Sequence, residues 1–118
     1  MTSSVKIHYL EVVTSNVDQI CDSYSQTLGV SFDELIPELG GARIAKLFEG
    51  GLIGVRTPMH EAEEHTTRPY YLVPDIAIAV EKAEDLGALI AVPPMEIPGY
   101  GKCAILMHGT IQSGLWEV

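Results

Sequence analysis

The sequence predicts an α+β fold: two tandem βαβββ modules forming a curved, cup-like mixed sheet with the helices outside. Two observations carry that expectation. The chain of 118 residues repeats itself at an interval of about 59–60. Tyr9-Leu10-Glu11-Val12-Val13-Thr14-Ser15-Asn16-Val17, with a helical stretch ending at Leu28-Gly29, is answered by Arg68-Pro69-Tyr70-Tyr71-Leu72-Val73-Pro74-Asp75-Ile76 and a stretch ending at Leu86-Gly87. Gly41 then answers Gly101, and Gly54-Val55-Arg56 answers Gly114-Leu115-Trp116. Secondly, each helix is followed by several strand-like runs rather than by one, which argues for antiparallel or mixed pairing and against a doubly wound sheet. The expected organisation is one domain, 1–118, with a first module at about 5–57, a linker at 58–67 and a second module at about 68–118.

Taken in order, Val5 to Val13 is rich in β-branched and aromatic residues and reads as a strand. Ser15 and Asn16 are suited to cap the helix that follows. Its apolar stripe is Val17, Ile20, Cys21, Tyr24 and Leu28, at three- and four-residue intervals. Gly29 supplies the left-handed residue that ends it. Val30 to Ile36 reads as a strand stopped by Pro37 and Gly40-Gly41. Arg43 to Phe48 and Leu52 to Thr57 read as a hairpin around Glu49-Gly50-Gly51. Pro58 to Thr67 has no apolar periodicity and is the linker. The pattern then restarts: a strand at Tyr70 to Val73, and a helix capped by Asp75 with Ile76, Val80, Ala83 and Leu86 or Gly87 inward. Next come a strand at Ala88 to Val92 broken by Pro93-Pro94, a loop at Pro98-Gly99-Tyr100-Gly101, and a final hairpin of Cys103 to Met107 and Gln112 to Val118.

Composition narrows the function classes. Hydrophobic residues make up 47% and charged residues 19%, a globular balance. The formal charge of −9, from seven Lys and Arg against sixteen Asp and Glu, repels phosphate backbones and anionic lipid, so neither nucleic acid nor a membrane is an expected partner. Cys21 and Cys103 stand in no metal or redox spacing and read as buried thiols. With no hydrophobic signal run at the N-terminus and no apolar span of membrane length, a cytoplasmic location is expected.

Three stretches carry a resemblance: HYLEVVTSNVDQICDSY near the start, RPYYLVPDIAIAVEKAEDLGA in the middle and PPMEIPGYGKCAILMHGTIQSGLWEV at the end. In their order and spacing the chain resembles the vicinal oxygen chelate superfamily, also called the glyoxalase/bleomycin-resistance/dioxygenase superfamily, over almost its whole length. The resemblance implies two modules edge to edge around a cavity, and commonly a homodimer. It also implies a divalent metal held by His and Glu on four matched strands. Those positions fall here at Tyr9, Gly54, Arg68 and Gly114. None is a usual ligand: arginine is cationic and glycine has no side chain. The chain also carries Met107-His108-Gly109-Thr110 where many members carry Asp-Pro-x-Gly. No cofactor is therefore expected.

Other candidate sites compare as follows. His60-Glu61-Ala62-Glu63-Glu64-His65 resembles a metal motif, but its histidines are five apart, about 140° around a helix, and it reads as a solvated acidic linker. His8 and Glu11 are three apart on a strand and point to opposite faces, which places His8 on the helix side. Glu11 shares its face with Tyr9 and Val13. The same alternation turns Arg68, Tyr70 and Leu72 inward, with Arg56 and Trp116 on the closing strands. Glu11 is the catalytic candidate, and Tyr9, Glu11, Arg56, Arg68, Tyr70 and Trp116 are the ligand-binding candidates. Glu11 has Arg68 or Arg56 as partner. Such a cup suits a small organic anion or an aromatic compound. An internal salt bridge filling the cavity is the other reading of the same residues.

Three functions follow from different classes. The first is a metal-independent small-molecule pocket, which the resemblance to sequestering antibiotic-resistance proteins permits. The second is a lyase, isomerase or dioxygenase with a divalent metal at non-standard positions such as Glu11 and His8; its metal-free version uses Glu11 as a base beside an arginine. The third is a structural dimer module.

Overall fold

The structure, a computed structural model, describes residues 4–118. Seven strands and two helices appear in the order β1 (Ile7–Val13), α1 (Val17–Leu28), β2 (Arg43–Lys46), β3 (Leu52–Arg56), β4 (Thr66–Leu72), α2 (Ile76–Asp85), β5 (Leu89–Ile97), β6 (Gly101–His108) and β7 (Ile111–Glu117). Single 3-10 turns stand at Pro37–Leu39 and Phe48–Gly50. The strands and helices segregate as the α+β class requires. The chain divides into two compact units: Tyr9–Thr67, and Arg68–Val118 together with the stretch up to His8. The opening strand therefore begins in the second of these and continues into the first.

In the unit of Tyr9–Thr67 the strands pair in the order β2-β3-β1. β2 is antiparallel to β3, and β3 is parallel to β1 with Glu11 opposite Gly54 and Val13 opposite Arg56. In the C-terminal unit the order is β5-β6-β7-β4. The first two pairings are antiparallel, and β7 runs parallel to β4 with Tyr70 opposite Gly114 and Leu72 opposite Trp116. Each unit thus sets its first strand parallel to its last, a pairing that requires a crossover and that the helix supplies. The repeat legible in the sequence is this repeated register.

Each unit has its own core beneath its helix. Val12, Ile53 and Val55 pack with Cys21, Val17, Ile20 and Tyr24 of α1. Ala104, Leu106 and Leu115 pack with Ile76, Ala79, Val80 and Ala83 of α2. Leu28 and Leu86, expected on the apolar stripes, are 55% and 81% exposed, Leu28 as the last residue of α1 and Leu86 just after α2. Both cysteines are buried and form no disulfide.

The helix starts differ. Asp75 accepts from the Ile78 N–H at 3.1 Å, and Glu117 of β7 accepts from the Ile76 N–H at 2.9 Å. Asn16 makes no side-chain cap; its own N–H donates to Thr14 Oγ1 at 3.1 Å. Gly29 ends α1 with φ 69, as expected. None of the helices among the described residues is long and apolar enough to cross a membrane.

Two strand assignments are corrected. Val30 to Ile36 forms no named strand and touches the sheet only through isolated bridges, Phe32 to Ala45 and Ile36 to Ala42. Arg43 Nε donates to the Asp33 carbonyl at 3.2 Å, taking an acceptor that a continuous ladder would need. Conversely, Pro93-Pro94 does not end β5. Within its unit that strand pairs with β6 alone, and its register shifts between Ile90 and Val92 and again between Val92 and Met95. Proline is tolerated at such an edge because the missing N–H would have pointed away from the neighbour.

Replacing Asp75 by alanine is expected to lower stability by about 1 kcal/mol in denaturant titration, the usual loss for an N-cap. Asn16→Ala is expected to change it by well under that, since no side-chain cap is lost.

Candidate functional site

Strand alternation divides each sheet face. In the unit of Tyr9–Thr67, Leu10, Val12, Ile53 and Val55 face α1, so Tyr9, Glu11, Val13, Gly54 and Arg56 occupy the opposite face. In the C-terminal unit Leu115 faces α2, which turns Gly114 and Trp116 to the other side with Tyr70. All six ligand-binding candidates are buried, including the charged Glu11, Arg56 and Arg68.

The first cluster is ionic. Arg56 Nε donates to Glu11 Oε2 at 2.8 Å. Its two terminal nitrogens grip Glu63 in a bidentate fork, Nη1 to Oε1 at 2.9 Å and Nη2 to Oε2 at 2.6 Å. Nη1 also donates to the Thr57 carbonyl at 3.1 Å. Glu63 is held in turn by the Met59 N–H, 2.7 Å from Oε1. The fork to Glu63, ahead of the bond to Glu11, binds the guanidinium proton more tightly than usual, against the opposing effect of burial. Of the two arginines that the sequence offers to Glu11, Arg56 is bonded to it within this unit.

The second cluster is aromatic. Tyr70 meets Trp116 edge-on, ring centroids 5.6 Å apart and planes at 85°. Trp116 Nε1 donates to the Tyr100 carbonyl at 2.8 Å, so the Pro98 to Gly101 loop anchors the indole. Arg68 donates through Nε and Nη2 to Gln112 Oε1, at 3.1 and 2.7 Å. His8, expected on the helix side, instead lies with its ring 5.6 Å from Trp116. Its Nδ1 is buried with no hydrogen-bond partner. Burial, helped by the nearby Lys6 charge, lowers the imidazole pKa below the ordinary 6.5.

Gly54 and Gly114 have a steric reason in common. A Cβ built on Gly54 would overlap the Tyr9 phenol, and one built on Gly114 would overlap the Tyr70 ring. In each unit a tyrosine ring lies where a side chain from the closing strand would project. With Tyr9 and Arg68 at the remaining two positions, the four sites that the resemblance assigns to metal ligands supply no carboxylate and no imidazole. Among the described residues no group of three or more His, Cys, Asp or Glu is arranged to hold a metal ion. The residues present do not fit the group.

Sequence reasoning missed Glu63, Gln112 and Glu117. Glu63 lay in the acidic linker, where the only hint was its nearness to an inward arginine. His60 and His65 are exposed, as a solvated linker requires.

Neither a family model nor a curated protein matches the chain. Solved structures do. A hypothetical protein from Bacillus halodurans C-125 superposes with TM-score 0.74 at 14% identity, covering 98% of this chain and 96% of that one. Methylmalonyl-CoA epimerase from Mycobacterium tuberculosis gives 0.72 at 14% identity, covering 99% and 92%. A Streptomyces coelicolor methylmalonyl-CoA epimerase in complex with 2-nitronate-propionyl-CoA gives 0.67 at 16%, covering 95% and 93%. The fold is therefore one that this chain shares with those structures.

Two outcomes test this geometry. Gly114→Ala is expected to destabilise by ~1–3 kcal/mol, the usual penalty of overpacking. Combined with Tyr70→Ala in a double-mutant cycle, it should lose clearly less than the sum of the two single changes. For His8, the folded state resists protonation more than the unfolded chain, so the unfolded state binds more protons as pH falls below 6.5. Stability should then decline from pH 6.5 towards about pH 5 more steeply in the native protein than in His8→Gln, read from denaturation midpoints.

Proposed function

We propose that this protein, built on a fold it shares with methylmalonyl-CoA epimerases, binds a small organic anion or aromatic compound without a divalent metal. The observation that carries the reading is the tyrosine ring covering the closing-strand glycine in each unit. Side chains that would chelate a cation are replaced there by phenol rings, and what remains suits a different ligand.

In the C-terminal unit the grip comes from Arg68, Tyr70 and Trp116. A guanidinium binds a carboxylate through paired N–H donors, and the two aromatic rings offer faces and edges to a flat ligand. The unpartnered His8 Nδ1 beside the indole adds a polar group for a ligand to meet. In the other unit Tyr9, Glu11 and Arg56 carry the charged counterpart. That one protein of this fold is seen with an acyl-CoA analogue agrees with an organic acid derivative as ligand, though a shared fold does not transfer chemistry.

A catalytic role for Glu11 would ask its carboxylate to take a substrate proton while it already accepts from Arg56 at 2.8 Å. Binding makes no such demand, and it is the reading we adopt over the metal-dependent lyase, isomerase or dioxygenase.

Purified protein should contain no stoichiometric Zn, Ni, Fe or Mn by elemental analysis. Its single tryptophan, Trp116, should change fluorescence on titration with benzoate, and Arg68→Ala should weaken that response by about tenfold or more. Stoichiometric metal, or a tryptophan signal indifferent to benzoate and to other small aromatic acids, would refute the reading.

A further inference from the structure

The face of the C-terminal unit that turns away from α2 is a grid of rows across β4, β7, β6 and β5. Residues directly opposite one another in a ladder share a face. Gln112, Met107 and Leu89 therefore make one row, and Arg68 reaches Gln112 from β4. Tyr70, Gly114, Ile105 and Val92 make the second row, and Leu72, Trp116, Cys103 and Met95 the third. Across these rows a charge or an amide side chain stands only at one corner, at Arg68 and Gln112. The outer half, on β5 and β6, is apolar throughout.

The apolar residues that β5 brings to this face stand at every third position, Leu89, Val92 and Met95, which is no strand period. Two irregularities convert it into one. The register against β6 shifts between Ile90 and Val92 and again between Val92 and Met95, so each third residue returns to the same face. Plain alternation from Leu89 would put Ala91 and Pro93 there and send Val92 to the α2 side with Ile90. Bulges re-aim side chains in this way beside binding sites. The side chains so placed add little to the folded core. Leu89 is 65% and Met95 47% exposed, and Val92, Ile105 and Met107 are half-buried.

From this grid we infer that the ligand is an amphipathic organic acid. Its carboxylate goes to the Arg68 corner, and an apolar tail lies across β6 and β5 on Leu89, Val92, Met95, Ile105 and Met107. The inference deepens the small-anion reading above and rests on it, adding the part of the ligand that reading left open. Neighbouring strands stand ~4.8 Å apart, so the span from β7 to β5 is about 10 Å. The apolar half then covers on the order of 200 Å². A stable protein interface takes about 800 Å² from each partner, so the area suits a small tail rather than a second copy of the chain. Met95 and Met107 add flexible, polarisable side chains that adapt to tails of different shape and meet aromatic rings through sulfur.

The test reads affinity from Trp116 fluorescence of the intact protein for benzoate and para-butylbenzoate, with para-(hydroxyethoxy)benzoate as a polar tail of equal length. The butyl compound should bind about tenfold or more tightly than benzoate, and the polar tail should add no more than about twofold. Leu89→Gln combined with Met95→Gln, at two exposed positions, should cut the butyl-to-benzoate affinity ratio by about fivefold. If benzoate binds and the butyl chain adds nothing, or adds as much in the double variant as in the native chain, the inference fails while the small-anion reading stands. If no acid alters Trp116, both fall. Sedimentation tests the rival occupant: a dimer that the double variant dissociates would put a second copy on this face and overturn the assignment. The comparison of tails on the native protein decides the matter even if the variant does not fold.

Discussion

In both units the first strand runs parallel to the last, and the register of that pair decides which side chains can meet. A parallel pair cannot be closed by a tight turn, so the chain must leave, cross over the sheet as a helix, and return. On return, β3 and β7 bring a glycine to the face away from the helix, opposite Glu11 in one case and Tyr70 in the other. Without a side chain there, an aromatic ring can lie against the strand, and Tyr9 and Tyr70 do so. On the same face stand the Glu11–Arg56 pair in one unit and, edge-on to Tyr70, Trp116 in the other.

The two units share this frame and fill it differently. Where one closing strand ends in Arg56, the other ends in Trp116. Where one opening strand carries Glu11, the other carries Tyr70. The charged unit buries a cation between two anions, and the aromatic unit buries an indole held by a backbone carbonyl and packed edge-on by a phenol. Duplication thus supplied one scaffold with two chemistries. Removing either partner of a buried ion pair typically costs roughly 3–5 kcal/mol, because the other charge is left without compensation. Glu11 and Arg56 are for that reason a fixed part of the fold, whatever else they do.

The residues found at the four positions that the resemblance assigns to metal ligands follow from the same geometry. Vicinal ligands on four matched strands need side chains at the closing-strand positions, and here those positions are kept bare so that tyrosines can occupy the space. Arg68, the third residue of β4, puts a positive charge at one of the remaining positions and donates to Gln112. Fold similarity at 14–16% identity does not carry chemistry with it.

The sequence by itself determined the duplication, both helices and their apolar stripes as far as Tyr24 and Ala83, the hairpins, and the inward face of each opening strand. All of these are written in local periodicity, which depends on neighbours three or four residues away or two. It also placed Tyr9, Glu11, Arg56, Arg68, Tyr70 and Trp116 on the faces away from the helices, because alternation along a strand needs no tertiary information. Tertiary structure decided the rest. It reduced Val30 to Ile36 to two bridges, since Arg43 claims a carbonyl there, and it carried β5 through Pro93-Pro94, since an edge strand can spare those N–H groups. It brought Glu63 out of a stretch with no pattern and onto Arg56, Gln112 onto Arg68, and His8 against Trp116. Such contacts join residues whose separation along the chain carries no period, so their partners become visible only when the strands have closed.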